Sequence, residues 1–355
     1  MKPEIKQLRD KLKGLSLDGM IVSNPISIRY LTGLDAEGML LIDPKENLFI
    51  TDSRYIESVN NSLTIESEIV ACDQKEMTKY DYEAIFEACT DVGFEEKYVT
   101  YEKYKKYLEM FHVNLVETEG IVESQRIVKE DYEIEKIKKA CEITDKAFEY
   151  IIKNIKKGMT EKQIAFELEK AMILNGADGL AFETIVASGE NSSMPHAVPT
   201  DRVIKETDII LFDFGAKYQG YFSDCSRTVF VGNIPEEQKN VYEFVLEEQN
   251  KIISNFKEGT NIKTIIRNRE MDYDLENYEV MHAFGHGVGL EIHENPVLKS
   301  KQDNLLKRNS VIAIEPGVYF PGKFGIRIED TCLVEKNECI NLTKSAKTIT
   351  RIKLV

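Results

Sequence analysis

Four carboxylates and one imidazole in this chain stand in settings where their burial needs a reason. Asp213 lies in Asp208-Ile-Ile-Leu-Phe-Asp213-Phe-Gly, in the middle of an apolar run with the character of a strand. Burying that charge is costly unless something pairs it. A second run follows across a turn containing Gly220, as Tyr221-Phe-Ser-Asp224-Cys-Ser-Arg-Thr228-Val-Phe-Val231, and it carries Asp224 in the same kind of setting. A hairpin of this length could bring the two carboxylates side by side, where they repel unless a proton or a cation lies between them. Taken alone, the pair reads equally well as strand-end aspartates in turns.

Three further segments shift that balance. Met281-His282-Ala-Phe-Gly285-His286-Gly-Val-Gly-Leu290-Glu-Ile-His293-Glu-Asn-Pro296 holds three of the chain's five histidines, and its glycines allow backbone to approach a site closely. Val311-Ile-Ala-Ile-Glu315-Pro-Gly-Val-Tyr319 is another apolar run interrupted by a carboxylate. In Phe324-Gly-Ile-Arg327-Ile-Glu329-Asp330-Thr331, strand alternation puts Arg327, Glu329 and Thr331 on one face. Asp213, Asp224, His286, Glu315 and Glu329 then make an oxygen-rich set with a single imidazole. Four carboxylates exceed what one structural zinc uses and suit two divalent ions with bridging carboxylates. Two such ions about 3.5–4 Å apart can share a water, lower its pKa and clamp attacking and departing atoms. The residues reach metal-assisted hydrolysis without naming a substrate. Cys225, next to Asp224, points to the opposite face of a strand and reads as core.

The elements that must carry these residues alternate helix and strand in the first third of the chain. Residues 3–15 have an amphipathic helical pattern (Ile5, Leu8, Leu12, Leu15). An apolar run at 19–22, a turn at Asn24-Pro25, a strand at 39–42, a turn at Asp43-Pro44 and a strand at 47–51 follow, which suits an α/β domain. A strand-like piece at 117–122 leads into a charged stretch at 123–135, where we place the domain boundary. From Asp131 a long helix is expected, with Ile134, Ile137, Cys141, Phe148 and Ile151 at helical spacing and Gly158 ending it. Thr160-Glu-Lys-Gln163 is a capping-box pattern opening a second helix to about Leu174.

Bulk properties exclude several functions. With 42% apolar residues the chain can bury a full core, and 46 basic against 61 acidic residues give a formal charge of -15. That balance argues against nucleic-acid binding, which needs Lys/Arg clusters to displace counterions. No stretch approaches the roughly 20 apolar residues of a membrane span, and the charged start has no apolar signal core. The six cysteines show no CxxC pair and read as reduced thiols of a cytoplasmic protein.

From the Asp213/Asp224 pair through HAFGHGVGLEIHENP to IEPGVYFPGKFGIRIED, the ordered segments resemble the catalytic domain of the Xaa-Pro dipeptidase (prolidase) and aminopeptidase P family of metallopeptidases. The resemblance implies an α+β fold: an N-terminal α/β creatinase/prolidase-type domain over residues 1–125, then a C-terminal pita-bread metallopeptidase domain over 126–355. Residues 3–55, with Tyr30-Leu-Thr-Gly33 and Thr51-Asp-Ser-Arg-Tyr55, look like the smaller domain. By resemblance, Asp213 is a ligand of one metal, His286 and Glu315 of the other, and Asp224 and Glu329 bridge the two. Glu315 is also a general base by analogy. His293 is expected to stabilise the anion of the tetrahedral intermediate, and His196 to contact the region of the scissile bond.

His282 and Arg327 match positions typical of the Xaa-Pro-cleaving enzymes and are candidates for binding the carboxylate end of a dipeptide, and Phe182 and Ile292 match apolar walls of a prolyl pocket. Apolar walls make physical sense, because a prolyl nitrogen has no hydrogen to offer and is recognised by shape. Ser226 stands where the family often has Thr, which keeps a hydroxyl beside the ligands. The implied substrate is a proline-containing dipeptide. A longer peptide, cut as by aminopeptidase P, is the near-equal alternative, and a non-catalytic peptide-binding member of the fold is the remote one. The implied cofactors are two divalent ions per subunit, manganese on grounds of ligand softness, with cobalt, zinc or iron as the other choices. The resemblance also implies a homodimer.

Overall fold

Short apolar runs punctuated by turn residues build the first part of the chain. The computed structural model describes residues 2–63, 68–272 and 282–354, and the chain divides into two compact units, Met1–Arg126 and Ile127–Val355. In the first unit the elements are α1 (Pro3–Gly14), β1 (Gly19–Val22), α2 (Pro25–Thr32), β2 (Met39–Ile42), β3 (Asn47–Thr51), α3 (Ile56–Ser62) and β4 (Ile69–Asp73). They continue with α4 (Lys79–Ile85), β5 (Asp91–Phe94), α5 (Tyr101–Phe111), β6 (Asn114–Glu117) and α6 (Glu123–Arg126). The six strands form one mixed sheet in the order β4-β3-β2-β1-β5-β6. Ile21, Leu41, Ile50, Val92 and Phe94 of the sheet pack with Phe86 and Phe111 in its core.

Two expectations fail here for local reasons. Asn24-Pro25 opens α2 rather than a turn: the Asn24 side chain accepts a hydrogen bond from the Ile26 amide at 3.0 Å, and Pro25 takes the first helical position. The strand expected at 117–122 lies earlier, at Asn114–Glu117, because Glu119 and Gly120 both take positive φ (49° and 75°) and end the extension.

The second unit opens with α7 (Asp131–Asn154) and α8 (Glu161–Leu174), followed by β7 (Gly179–Leu180), β8 (Ile185–Ser188), β9 (Ile209–Phe214), β10 (Ala216–Tyr218), β11 (Tyr221–Phe222) and β12 (Cys225–Val231). Then come α9 (Glu236–Asn255), α10 (Ile262–Asp272), β13 (Gly285–Gly287), β14 (Glu294–Val297), β15 (Val311–Ile314), β16 (Gly317–Phe320), β17 (Phe324–Arg327), β18 (Asp330–Val334), β19 (Cys339–Asn341) and β20 (Thr350–Ile352). Both halves of the expected capping box form at Thr160 and Gln163. The apolar stripes of α7 and α8 pack on one face of β9 and β12, with Phe148 against Phe212 and Phe214 and with Cys225 and Val229 in the same cluster. Alternation sends Asp213 and its cross-strand partner Ser226 to the opposite face. An aspartate can therefore sit inside an apolar strand without entering the core behind it.

The strands are interrupted more often than their apolar runs indicate. β9–β12 is a hairpin broken at Gly215 and again at Ser223–Asp224, so its outer part, β10 and β11, pairs with β7 in a separate three-stranded sheet. β15 and β18 belong to a five-stranded sheet (β14-β13-β15-β18-β19), whereas β16 and β17 pair only with each other. The breaks fall at Glu315-Pro316 and Ile328-Glu329. Among the described residues no helix is long and apolar enough to cross a membrane.

Buried charge in the first unit has a measurable signature. Glu95 is 4% exposed, and its carboxylate caps the amides of Ser23 and Asn24 at 2.7 and 2.8 Å. Burial pushes Glu95 up to about 7 from an ordinary value of 4.5, against the pull of those hydrogen bonds. The unfolded chain releases this proton above pH 4.5 while the folded chain keeps it, so rising pH through 4.5 to 7 removes stability. Glu95→Gln should cancel that slope, gaining on the order of 2–3 kcal/mol relative to the parent between pH 4.5 and 8. Urea unfolding at both pH values measures it; parallel curves for the two proteins would refute the account.

Candidate metal centre

The three breaks in the strands are where the site forms. Asp224 stands between β11 and β12, Glu315 between β15 and β16, and Glu329 between β17 and β18. A regular strand would fix each side chain to one face of one sheet; at a break the chain passes from one sheet to another and the side chain turns into the space between. His286 lies on the short strand β13, paired with Ala313 of β15. Gly285 makes that pairing possible: it has φ +152°, and a Cβ there would come within 2.0 Å of the Ala313 carbonyl oxygen.

Asp224, His286 and Glu329 each offer a ligand atom within 4.8 Å of the others, and all three are buried. His286 Nε2 is 3.5 Å from Asp224 Oδ2 and 3.7 Å from Glu315 Oε1. Asp213 is close enough for its charge to act on Asp224, Glu315 and Glu329. One of its oxygens accepts from Arg327 Nη2, while the other, Oδ1, is buried without a hydrogen-bond partner. The structure thus brings the five ligand candidates into one cluster.

The surroundings hold these groups in place and set their charge. Ser226 Oγ donates to Glu329 Oε2 at 2.7 Å and accepts from Arg327 Nε at 2.8 Å. Thr331 Oγ1 accepts from the Asp224 amide at 3.0 Å and donates to the Asp224 carbonyl at 2.9 Å. Arg227, fully buried, donates to the backbone carbonyl of Glu329 and to Asp330. Burial and mutual repulsion push Asp224 and Glu329 well above the usual carboxylate range. Burial pushes Glu315 up to about 8, with Arg327 opposing and Asp213 adding. His286 is lowered to about 4 by burial and by its neighbour His293, so its imidazole is neutral at physiological pH, as a ligand must be. Carboxyls pushed above their ordinary range by burial and mutual repulsion, an orphaned buried Asp213 oxygen and a neutral imidazole together fit divalent cations.

The remaining candidates are distributed around this cluster. His293 packs its ring against His286 with centroids 4.3 Å apart. His282 receives or gives a hydrogen bond at Tyr319 Oη (2.7 Å), and its Nδ1 lies 3.5 Å from Glu315 Oε2. Arg327 is 2% exposed and directs Nε, Nη1 and Nη2 to Ser226, to Tyr319 and the Pro195 carbonyl, and to Asp213. His196 follows Pro195 on an exposed loop, near enough to influence His282 and His293 electrostatically. Ile292 is half-buried beside His293. Phe182 lines a shallow cavity of about 470 Å³ with Phe166, Thr184 and Pro199, in which no ligand candidate takes part. Tyr319 is the residue missed by sequence reasoning. It lies two positions from Gly317, the cross-strand partner of Arg327 in the β16–β17 hairpin, so alternation carried across that hairpin would have found it.

A buried cluster of carboxylates and one imidazole, set where strands change sheets, defines a metal-dependent hydrolase. The model of metallopeptidase family M24 matches residues 135–336, and that of the creatinase/prolidase N-terminal domain matches residues 4–128. The chain belongs to metallopeptidase family M24, and its α+β architecture, a creatinase-type N-terminal domain followed by the pita-bread domain, is the one expected from sequence. It is 36% identical to the Xaa-Pro dipeptidase of Pyrococcus horikoshii, over 98% of each chain. Among solved structures, it is similar to an Xaa-Pro dipeptidase from Bacillus anthracis (TM-score 0.92, 34% identity, 98% of this chain and 99% of that one). It is also similar to an X-Pro aminopeptidase from Thermotoga maritima (TM-score 0.87, 32% identity, 97% and 100%). Family membership implies the use of divalent metal.

Metal should therefore stabilise the fold as well as serve the reaction. At 100-fold saturation a bound ion contributes about 2.7 kcal/mol, which for a domain of this size raises the melting temperature by roughly 5–10 °C. Scanning calorimetry of metal-loaded and chelator-stripped protein reads this directly. Identical melting temperatures would count against a cation at the cluster.

Proposed function

We propose that the chain hydrolyses the peptide bond before proline in short peptides, with dipeptides as the leading substrate class. The observation that carries this reading is the convergence of Asp213, Asp224, His286, Glu315 and Glu329, with His293 and His282 at its edge. The Xaa-Pro dipeptidase relatives support the substrate class. In this proposal residues 1–125 form the creatinase/prolidase-like domain and residues 126–355 the catalytic one.

Two divalent cations held by Asp213, Asp224, His286, Glu315 and Glu329 would polarise the scissile carbonyl and lower the pKa of water. Asp224 and Glu329 would be the carboxylates shared by the two cations. Glu315, by analogy with the family, is the carboxylate proposed to accept and return a proton. His293 and His196 donate hydrogen bonds where negative charge develops on the substrate carbonyl. Tyr319 and the Ala283 carbonyl fix the orientation of His282. Arg327 holds Asp213 and Ser226 and so keeps the ligand set in register. Ile292 is an apolar wall proposed for the prolyl ring, whereas the cavity that Phe182 lines contains no ligand candidate and gives its proposed place there no support.

Cleavage of longer peptides is the second reading, favoured by the likeness to the Thermotoga maritima X-Pro aminopeptidase. It gains weight from Arg327, whose guanidinium is spent on protein groups and leaves no free fork for the carboxylate of a dipeptide. Manganese as the native ion, a homodimer and a cytoplasmic location complete the proposal.

Turnover of Ala-Pro against Ala-Pro-Gly, in manganese and in cobalt, decides between the readings: we expect Ala-Pro to be the better substrate. Glu329→Ala should lower kcat/KM by at least about 10³-fold and reduce metal content, since electrostatic groups of this kind contribute several kcal/mol. A fully active Glu329→Ala protein would remove the bridging assignment. Full metal occupancy with neither peptide cleaved would remove the peptidase reading itself.

A further inference from the structure

One buried carboxylate outside the ligand set gathers an unusual number of donors. Glu161, the first residue of α8, is completely buried. Its Oε1 accepts from the Ser188 amide (2.7 Å), Ser188 Oγ (2.6 Å) and Asn191 Nδ2 (3.1 Å). Its Oε2 accepts from the Thr200 amide (3.0 Å), Thr200 Oγ1 (2.6 Å) and again Asn191 Nδ2 (3.2 Å). Burial works to raise its pKa, but the hydrogen bonds from Ser188 and Thr200 outweigh that and hold it below its ordinary value.

Ser188 and Thr200 are the two ends of a single loop. It leaves β8 at Ser188 and returns at Thr200, whose carbonyl accepts from the Lys162 amide at 3.2 Å. Between these ends the loop touches the β16–β17 hairpin at three points. Ser193 Oγ accepts from the Gly322 amide (3.2 Å), Ser192 Oγ accepts from the Gly325 amide (3.0 Å), and the Pro195 carbonyl accepts from Arg327 Nη1 (3.3 Å). The approach is close: a Cβ on Gly325 would lie 2.1 Å from the Ser192 carbonyl oxygen. Arg327 in turn holds Asp213. His196 is the next residue after Pro195. The loop is therefore tied at its base by one carboxylate and at its tip by the hairpin that carries Arg327.

We propose that Glu161 is a positioning residue for the reaction: by drawing both ends of the 188–200 loop onto one carboxylate, it sets where His196 stands against the candidate metal ligands. A buried carboxylate with about four lone-pair sites could be satisfied by donors from anywhere nearby, and the two ends of a 13-residue loop need not meet at one point for β8 to end. Convergence of both on Glu161 fixes the loop's closure independently of its tip. The inference rests on the peptidase reading for its catalytic consequence, and on geometry alone for the anchoring.

Glu161→Gln keeps the size of the side chain and removes the charge that six donor contacts share. In the metal-loaded variant we expect amide hydrogen exchange over residues 189–198 to quicken by about tenfold or more, with β9 and α7 unchanged. We expect kcat for Ala-Pro to fall about tenfold, with KM and metal content held, as small misplacements of a catalytic group do. Because Glu161 acts through His196, Glu161→Gln/His196→Ala should be no slower than His196→Ala alone. Losses that multiply, or loop exchange that does not change, would overturn the proposal. A parent protein that binds metal but leaves Ala-Pro intact would instead sink the peptidase reading, and the exchange comparison would still decide whether Glu161 anchors the loop.

Discussion

Negative charge confined with too little positive charge is the condition around which the second unit is built. Asp213, Asp224, Glu315 and Glu329 face one another in a space where Arg327 is the principal cation, and Arg327 is bonded directly to only one of them. Left to themselves such groups take up protons or push apart. What prevents collapse or separation is a frame of neutral donors and one buried arginine, from Ser226 and Thr331 behind Glu329 and Asp224 to Arg227 on the Glu329 carbonyl. The frame orients the oxygens without neutralising them. The remaining demand for positive charge is what a divalent cation would satisfy, and such binding would be linked to the folding of this unit.

The architecture meets that condition by spending regular structure. Each of the three carboxylates Asp224, Glu315 and Glu329 marks a point where the chain leaves one sheet for another. The fourth, Asp213, stays within a strand and depends on alternation to keep Phe212 and Phe214 in the apolar cluster behind it. Buried charges also hold nearby segments. Both ends of the segment bearing His196 bond Glu161. Lys129 and Glu294, 1% and 5% exposed and 3.1 Å apart, form a buried ion pair next to His293. Buried pairs of this kind contribute little net stability but are expensive to break, so they serve to fix geometry.

Much of this was legible from residue order. The ligand set stood out because a carboxylate inside an apolar run violates the ordinary partition of polar and apolar groups, and the structure gathers all five candidates. The start of α7 and the extent of α8 followed from apolar periodicity and from a capping box whose two hydrogen bonds both form, but α7 ends at Asn154, where Ile155 turns extended, and not at Gly158. The strand breaks were hidden, because an apolar run looks the same whether or not it changes sheets at a central residue. α2 was hidden behind Asn24-Pro25, a pair that starts helices as readily as it makes turns. Tyr319 and Glu161 escaped for another reason. A tyrosine in an apolar strand and a glutamate in a helix's first turn are unremarkable in composition, and only the fold shows that their partners lie eight and nearly forty residues away.

The spread of the ligands along the chain bears on how the protein is made. The candidates run from Asp213 to Glu329, so a ribosome must deliver almost the whole second unit before the last carboxylate of the cluster emerges. During that interval the nascent chain carries Asp213 and Asp224 without the strands that orient them, and pairing β12 with β20 must wait for residues 350–352. Contacts of such long sequence separation form late and slowly. The complete cluster can assemble only at the end of synthesis, and a chain truncated before residue 329 would lack one of its carboxylates.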